Sequence, residues 1–226
     1  MLGIETSTRR GSVALWEDGR VIGAREHAVP NAHAEQLLPL LESVLAEAGW
    51  SRSSLDRLAV GIGPGSFTGL RVGIALVQGI ALGLDRPLVG CGSLATMARG
   101  VPAEDARLRV PVLDARRGEL FAAVYGPAGA VRALPFAVPR SEAGAALDAL
   151  LAGQSYVLVG EGAAELSPDR PRLTRPDLDL PHASWVAALG AELDPASAPA
   201  EPEYVRGPGA TLPNLPPSPL DQPGTA

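Results

Sequence analysis

Between positions 61 and 73 the chain reads Gly-Ile-Gly-Pro-Gly-Ser-Phe-Thr-Gly-Leu-Arg-Val-Gly, directly after an apolar run at 58–62 and directly before an apolar stretch that reaches position 84. A short strand that ends in a Gly-Pro-Gly turn and restarts as a helix is an α/β unit, and Ser66 or Thr68 is placed to cap the helix. Backbone amides converge at such a turn. Glycine there admits either a phosphate, drawn to the free amides of a helix N-terminus, or another segment of the fold. The spacing matches neither the dinucleotide-binding fingerprint nor a P-loop, which needs a lysine. Anion pocket and tight helix-on-sheet packing both stay open.

The flanking sequence extends the α/β pattern. Residues 2–6, 11–16 and 21–27 predict three short strands joined by Ser/Thr/Arg and Glu-Asp-Gly turns. Residues 31–48 follow with Leu37, Leu41, Val44, Leu45 and Ala48 at helical spacing, closed by Gly49. After the helix that ends at 84, residues 87–90 return as a strand. Meander followed by alternation predicts a mixed sheet with helices. The plan then restarts, with strands at 109–113, 118–125 and 131–138, a weaker helix at 141–151 and a strand at 156–160. Two lobes are expected, each a mixed sheet flanked by helices, at 1–100 and 101–206, the second a smaller, degenerate copy of the first. A last helix is expected at 183–193. From Pro195 onward the chain holds nine prolines; 207–226 is expected to be a disordered tail, with Tyr204, Val205 and Arg206 the last residues to dock.

Composition removes several classes of chemistry. All 19 basic residues are arginine, so a phosphate-loop lysine, a Schiff-base lysine and a lysine base are excluded. With 226 residues and a net charge of −6, the chain builds a sizeable core and as a whole repels a nucleic-acid backbone, so RNA contact is expected only through a partner. Cys91 is the single cysteine, which excludes an internal disulfide and fits a reducing cytoplasm. The N-terminus alternates like a strand rather than a signal peptide, and the apolar run 72–84 is too short for a bilayer. A soluble, cytoplasmic protein without membrane contact is expected.

Helix 68–84 is apolar nearly all round, with only Arg71 and Gln78 on a polar side, which predicts burial on every face. Ala75, Gly79 and Gly83 form a small-residue ridge where another helix can approach. A helix-mediated interface is therefore expected, built from His33, Leu37, Leu40, Leu41, Thr68, Arg71, Val72, Ala75, Gln78, Gly79 and Leu82; burial under the second lobe is the plainer alternative. Glu5, Thr6 and Ser7 at the first hairpin, Gly63, Gly65 and Ser66 at the glycine turn, and Asp114 with Glu119 at the matching turn of the second lobe are candidates for holding a nucleotide and Mg²⁺. Taken singly, each is an ordinary turn residue. A metal pair around His33 would need a second histidine one turn later, where Leu37 stands; His27 lies on a strand and His182 is remote, so no metal site is expected. His33 is expected to cap or to pack. No Gly-x-Ser-x-Gly elbow is present and Cys91 lacks a nucleophile's context, so no catalytic residue is assigned.

Taken together, Ile4-Glu5-Thr6-Ser7-Thr8 before Gly11-Ser12-Val13-Ala14-Leu15, His33 with Leu37-Leu38-Pro39, the block from Gly63 to Gly73, Asp114-Ala115-Arg116-Arg117-Gly118-Glu119 and Pro202-Glu203-Tyr204-Val205-Arg206 resemble the TsaB family of the actin-like ATPase superfamily, over positions 1–206. The resemblance implies an actin-like ATPase (ribonuclease H-like) duplicated fold. It implies a non-catalytic scaffold that heterodimerises with the catalytic paralogue TsaD through helices of the N-terminal lobe, recruits TsaE, and is required for threonylcarbamoyladenosine formation beside the anticodon of tRNAs reading codons that begin with A. The same surface is expected to form a homodimer when the chain is alone. No cofactor is required by the chain itself, with ATP or ADP and Mg²⁺ expected at most at the complex interface. Glu5 departs from the aspartate more usual at its position. The alternatives are a nucleotide-binding ATPase or kinase of the same fold and a glycoprotease-like peptidase.

Overall fold

The computed structural model describes residues 1–29 and 32–205; Arg206 and the 207–226 tail lie outside the described residues. Strands β1 (Leu2–Glu5), β2 (Gly11–Glu17) and β3 (Arg20–His27) form an antiparallel meander, followed by helix α1 (His33–Ala48), strand β4 (Leu58–Gly63), helix α2 (Phe67–Leu84) and strand β5 (Leu88–Gly92). The sheet order is β3-β2-β1-β4-β5, with β4 parallel to both β1 and β5. Ile4 faces Val13 across the first pair and Val60 across the parallel pair.

The amphipathic face of α1 buries Leu37, Leu41, Val44 and Leu45 against Leu2, Ile4, Val13 and Leu15 of the sheet, and α2 adds Leu70, Ile74, Val77 and Ala81 to the same core. Gly49 ends α1 at φ 68° with its amide bonded to the Ala46 carbonyl, the left-handed geometry for which glycine is suited. Ser66 is the cap of α2, its Oγ accepting the Gly69 amide at 3.2 Å.

A short helix absent from the sequence reading, α3 (Ser93–Arg99), leads into β6 (Leu108–Arg116), β7 (Glu119–Tyr125), β8 (Val131–Pro139), α4 (Arg140–Leu151) and β9 (Tyr156–Val159). The second sheet, ordered β8-β7-β6-β9 with β9 parallel to β6, repeats the β-β-β-α-β plan of the first. It stops where the first lobe inserts α2 and β5, and the short 3-10 helix Glu161–Glu165 follows β9 directly. This is the physical content of the expected degeneracy.

The chain then departs from the sequence reading. After α5 (Pro176–Asp179), helix α6 (Ala183–Gly190) packs on β1, β2 and β4 of the first sheet, not on the second lobe. Its seat is built from small residues: a Cβ on Gly3 would meet the Ala183 carbonyl at 2.6 Å, and the Ala183 amide donates to Ser12 Oγ at 2.9 Å. Val186 joins Met1, Ala59, Val89 and Cys91 in a core on the face opposite α1 and α2. Residues 198–203 also return to the first lobe, where the Gly90 amide donates to Ala198 O and the Glu203 amide to Ile62 O. A boundary near residue 100 therefore assigns 183–203 to the wrong sheet.

Candidate functional site

Two surfaces carry the candidate residues. The first is a cleft of about 450 Å³ between the lobes, lined by Ser7, Thr8 and Arg9 of the β1–β2 turn, His33 and Ala34 at the start of α1, Gly65, Ser66 and Thr68 at the start of α2, and Leu113, Asp114, Arg116, Phe121 and Glu161 of the second lobe. Arg9 of the first lobe and Glu161 of the second, both in its lining, form an ion pair of 2.5 Å. The sequence candidates divide here. Ser7, Gly65, Ser66 and Asp114 line the cleft; Glu5, Thr6, Gly63 and Glu119 lie outside its lining.

Glu5 is fully buried and turns inward. Its Oε1 accepts the amides of Thr6 at 2.8 Å and Ser7 at 2.6 Å, and Ser93 Oγ donates to Oε2 at 3.2 Å. Burial pushes its carboxyl above the usual carboxylate range, and these hydrogen bonds oppose the rise. Gly61 lies over the carboxylate with no room for a Cβ. The acid expected to face a nucleotide is thus a turn-holding group within the fold. Thr6 is likewise buried, its side chain packed against Gly73, and the Ser7 carbonyl accepts the Ser66 amide at 2.6 Å. The glycine turn is accordingly spent on close packing between the end of β1 and the start of α2. Gly63 sits under the Glu203 carbonyl rather than in the cleft.

Asp114 is also committed. It accepts from the Arg116 amide and from Arg140 Nη2, both at 2.7 Å. Burial acts to raise its carboxyl, but the Arg116 and Arg140 contacts outweigh that and hold it below the usual range. Glu119 stands across the turn in register with Arg116. Among the described residues no three His, Cys, Asp or Glu side chains gather as a metal site. Cys91 is buried, and burial pushes its thiol up to about 12, far from a nucleophile's range.

One pairing escaped the sequence. His27 Nε2 lies 3.1 Å from His33 Nδ1, and His33 Nε2 lies 2.9 Å from the Thr8 carbonyl, under Gly11, where a Cβ would strike both rings. His33 therefore packs; the N-cap of α1 is Ala32, with no side-chain bond. His182 accepts the Ser184 amide at the start of α6.

The second surface is the outer face of α2. Thr68, Arg71, Ala75, Gln78, Gly79 and Leu82 are all exposed, and Leu82 is 86% exposed. A Cβ built on Gly79 or Gly83 meets nothing within 4 Å. The expectation that α2 is buried all round is corrected: its inner face enters the first core and its outer face is exposed. At 18 residues and mean hydropathy 1.6, the helix has the length and composition of a membrane span, which the core helix of a soluble protein shares, and a third of it is buried in the fold. The other interface candidates fall elsewhere. Leu37 and Leu41 are fully buried, Leu40 and Val72 are half-buried against the first core, and His33 is in the cleft. An amphipathic stripe marks side chains that avoid water, and in α1 the sheet already covers it. Phe67 and Tyr204 stack with centroids 5.6 Å apart at the cleft end of the face; the sequence expected Tyr204 to dock but did not pair it with Phe67.

Two lobes on one repeated plan, with a cleft between their first hairpins, define the actin-like ATPase (ribonuclease H-like) duplicated fold. A family model described as TsaD, tRNA N6-adenosine threonylcarbamoyltransferase, matches residues 27–139. The tRNA threonylcarbamoyladenosine biosynthesis protein TsaB of Escherichia coli K12 is 43% identical over 126 residues, which are 55% of this chain and 54% of that protein; the matched stretch spans about half the length of that curated relative. The solved structure of YeaZ from Pseudomonas aeruginosa is similar with a TM-score of 0.72 and 30% identity over 90% of this chain and 98% of that one. The ethanolamine utilization protein EutJ of Carboxydothermus hydrogenoformans, at 13% identity and a TM-score of 0.56 over 84% and 89% of the two chains, shares the fold. The chain belongs to the TsaB (YeaZ) family.

Proposed function

We propose that the chain is a non-catalytic subunit in the formation of threonylcarbamoyladenosine on tRNA, acting by docking the outer face of α2 onto the catalytic paralogue TsaD. The observation that carries this reading is the exposed stripe Thr68, Arg71, Ala75, Gln78, Gly79 and Leu82, with open space over Gly79 and Gly83. An exposed apolar stripe on a helix already anchored by its other face is the surface that helix-on-helix association uses. The match of residues 27–139 to the threonylcarbamoyltransferase family supports a partner built on the same lobe, so that two related α2 faces meet. In this reading TsaE joins the assembled pair, tRNA is contacted through the complex, the face pairs with a second copy when TsaD is absent, and the complex works in the cytoplasm.

The cleft supports the non-catalytic part. Its acids are engaged within the fold, Glu5 with the Thr6 and Ser7 amides and Asp114 with Arg116 and Arg140, so neither is set to hold Mg²⁺. The test is co-purification with the TsaD of the same organism and a threonylcarbamoyladenosine assay with and without the chain. Complex formation and dependence of the modification on the chain are expected; absence of both overturns the proposal.

A nucleotide-binding role is the second reading, favoured by the starts of α1 and α2 meeting at one cleft, α1 with no side-chain cap. Free amides at two helix N-termini are suited to a phosphate. In that case cleft substitutions, not α2-face substitutions, abolish function.

A further inference from the structure

At the cleft end of the α2 face an arginine is held in place from two sides. The guanidinium carbon of Arg71 stands 3.7 Å from the centroid of the Phe67 ring, and Arg71 Nε donates to the Tyr204 hydroxyl at 3.2 Å. Tyr204 in turn stacks on Phe67 at an interplanar angle of 30°. The segment that delivers Tyr204 is itself fixed: Gln78 Nε2 donates to the Ala200 carbonyl at 3.1 Å, and the Glu203 amide donates to Ile62 O at 2.7 Å. Ala200 packs into the first core and Val205 into the second. Arg71, Phe67 and Tyr204 nevertheless remain exposed, the two rings at 54% and 49%.

These contacts use Nε and one face of the guanidinium, and among the described residues neither terminal nitrogen has a hydrogen-bond or ion-pair partner. No carboxylate of the described residues forms an ion pair with Arg71, whereas the exposed Arg9, Arg25 and Arg52 pair with Glu161, Glu47 and Glu42; Arg20 and Arg86 are also exposed and lack an ion pair, but among the described residues only Arg71 is held over an aromatic ring. An arginine costs rotamer entropy when a partner immobilises it; here its own protein has already done so. The rest of the stripe, Ala75, Gly79 and Leu82, carries no charge.

We propose that Arg71 is the specificity-determining anchor of the α2 face, and that its partner is a protein surface that lays an apolar, small-residue helix along Ala75, Gly79 and Leu82 and presents an aspartate or glutamate carboxylate to the two free guanidinium nitrogens. Tyr204 is a positioning residue that sets the guanidinium from behind. The assignment rests on the reading of α2 as the docking face. A protein is favoured over RNA because one cation on an apolar stripe, in a chain of net charge −6, neutralises too little phosphate to hold a nucleic acid, while an arginine flanked by aromatic rings is the composition of an interface hot spot. A fork of two parallel N–H···O bonds also orients the partner, which a lysine cannot do.

The experiment uses the full chain and the TsaD of the same organism, with affinity measured by titration calorimetry at several salt concentrations for wild type, Arg71→Gln, Arg71→Lys, Tyr204→Phe and Gly79→Leu. Removal of the anchor is expected to weaken binding by about tenfold or more and to flatten the salt dependence. Arg71→Lys should recover only part of the loss, and Tyr204→Phe should weaken binding less than Arg71→Gln. All positions are on the surface, so thermal unfolding no lower than that of the wild type separates these effects from misfolding. Wild-type affinity and salt dependence in Arg71→Gln, with Gly79→Leu unable to bind, overturn the anchor while leaving the docking face intact. Normal binding by both variants overturns the docking face itself. Loss of tRNA affinity but not of protein affinity in Arg71→Gln also overturns the proposal, in favour of an RNA contact.

Discussion

The imidazoles of His27 and His33 meet edge to face with centroids 5.0 Å apart, Nε2 of the first 3.1 Å from Nδ1 of the second. A carbonyl can only accept, so the contact with Thr8 O places the neutral His33 proton on Nε2; its Nδ1 then accepts from His27 Nε2. One tautomer of each ring satisfies both contacts and leaves His27 Nδ1 buried without a hydrogen-bond partner among the described residues. Burial first, and then the neighbouring His33, hold the His27 pKa below the usual 6.5, and burial followed by Arg10 does the same for His182. A histidine lowered in the folded state takes its proton more readily unfolded. Its contribution to stability is present above the unfolded value and is lost as pH falls through and below about 6.5. The melting temperature is therefore expected to fall on acidification from pH 7.5 to 5.5, and His27→Gln to flatten that dependence. Glu5, raised by burial, works in the opposite direction, but equally in both proteins. An identical slope in the variant counts against the assignment.

Gly79→Leu is expected to separate folding from assembly. In an exposed helix interior leucine is favoured over glycine by about 0.5–1 kcal/mol, and the open space around Gly79 leaves that gain uncompensated. Melting should rise by about 1–4 °C while co-purification with TsaD is lost.

Glu5→Ala is expected to destabilise the fold by at least about 2 kcal/mol, because it orphans the Thr6 and Ser7 amides in a buried turn. Glu5→Gln keeps an acceptor for them and should cost less. Chemical denaturation of the two variants gives the comparison; equal stabilities would mean that the turn is held by packing alone.

Millimolar MgADP is expected to move the melting temperature of the isolated chain by no more than about 1 °C, whereas a ligand present at a hundred times its Kd would stabilise by about 2.7 kcal/mol and shift it by several degrees. A shift of several degrees that Thr68→Arg, which crowds the cleft, abolishes would bring the nucleotide reading forward.

The order of elements was open to reading because it is local. Alternation along β2, the 3.6-residue period of α1 and the Ser66 cap of α2 are each set by neighbours in the chain, and the repeat of the meander announced two lobes. The resemblance carried by the block from Gly63 to Gly73 pointed to the family for the same reason: a strand, a tight turn and a capped helix in one continuous stretch. What the sequence could not assign was which surface covers each apolar side chain. Leu37 and Leu82 both signal avoidance of water, yet α1 lays Leu37 on the sheet while Leu82 stands 86% exposed. Glu5 has the composition of a phosphate loop, and only the approach of Gly61 and Ser93 turns it inward. The return of α6 onto Gly3, the meeting of His27 with His33, and the placement of Tyr204 behind Arg71 join segments far apart in the chain. Such contacts depend on the path of the whole backbone, which periodicity and local propensity do not encode.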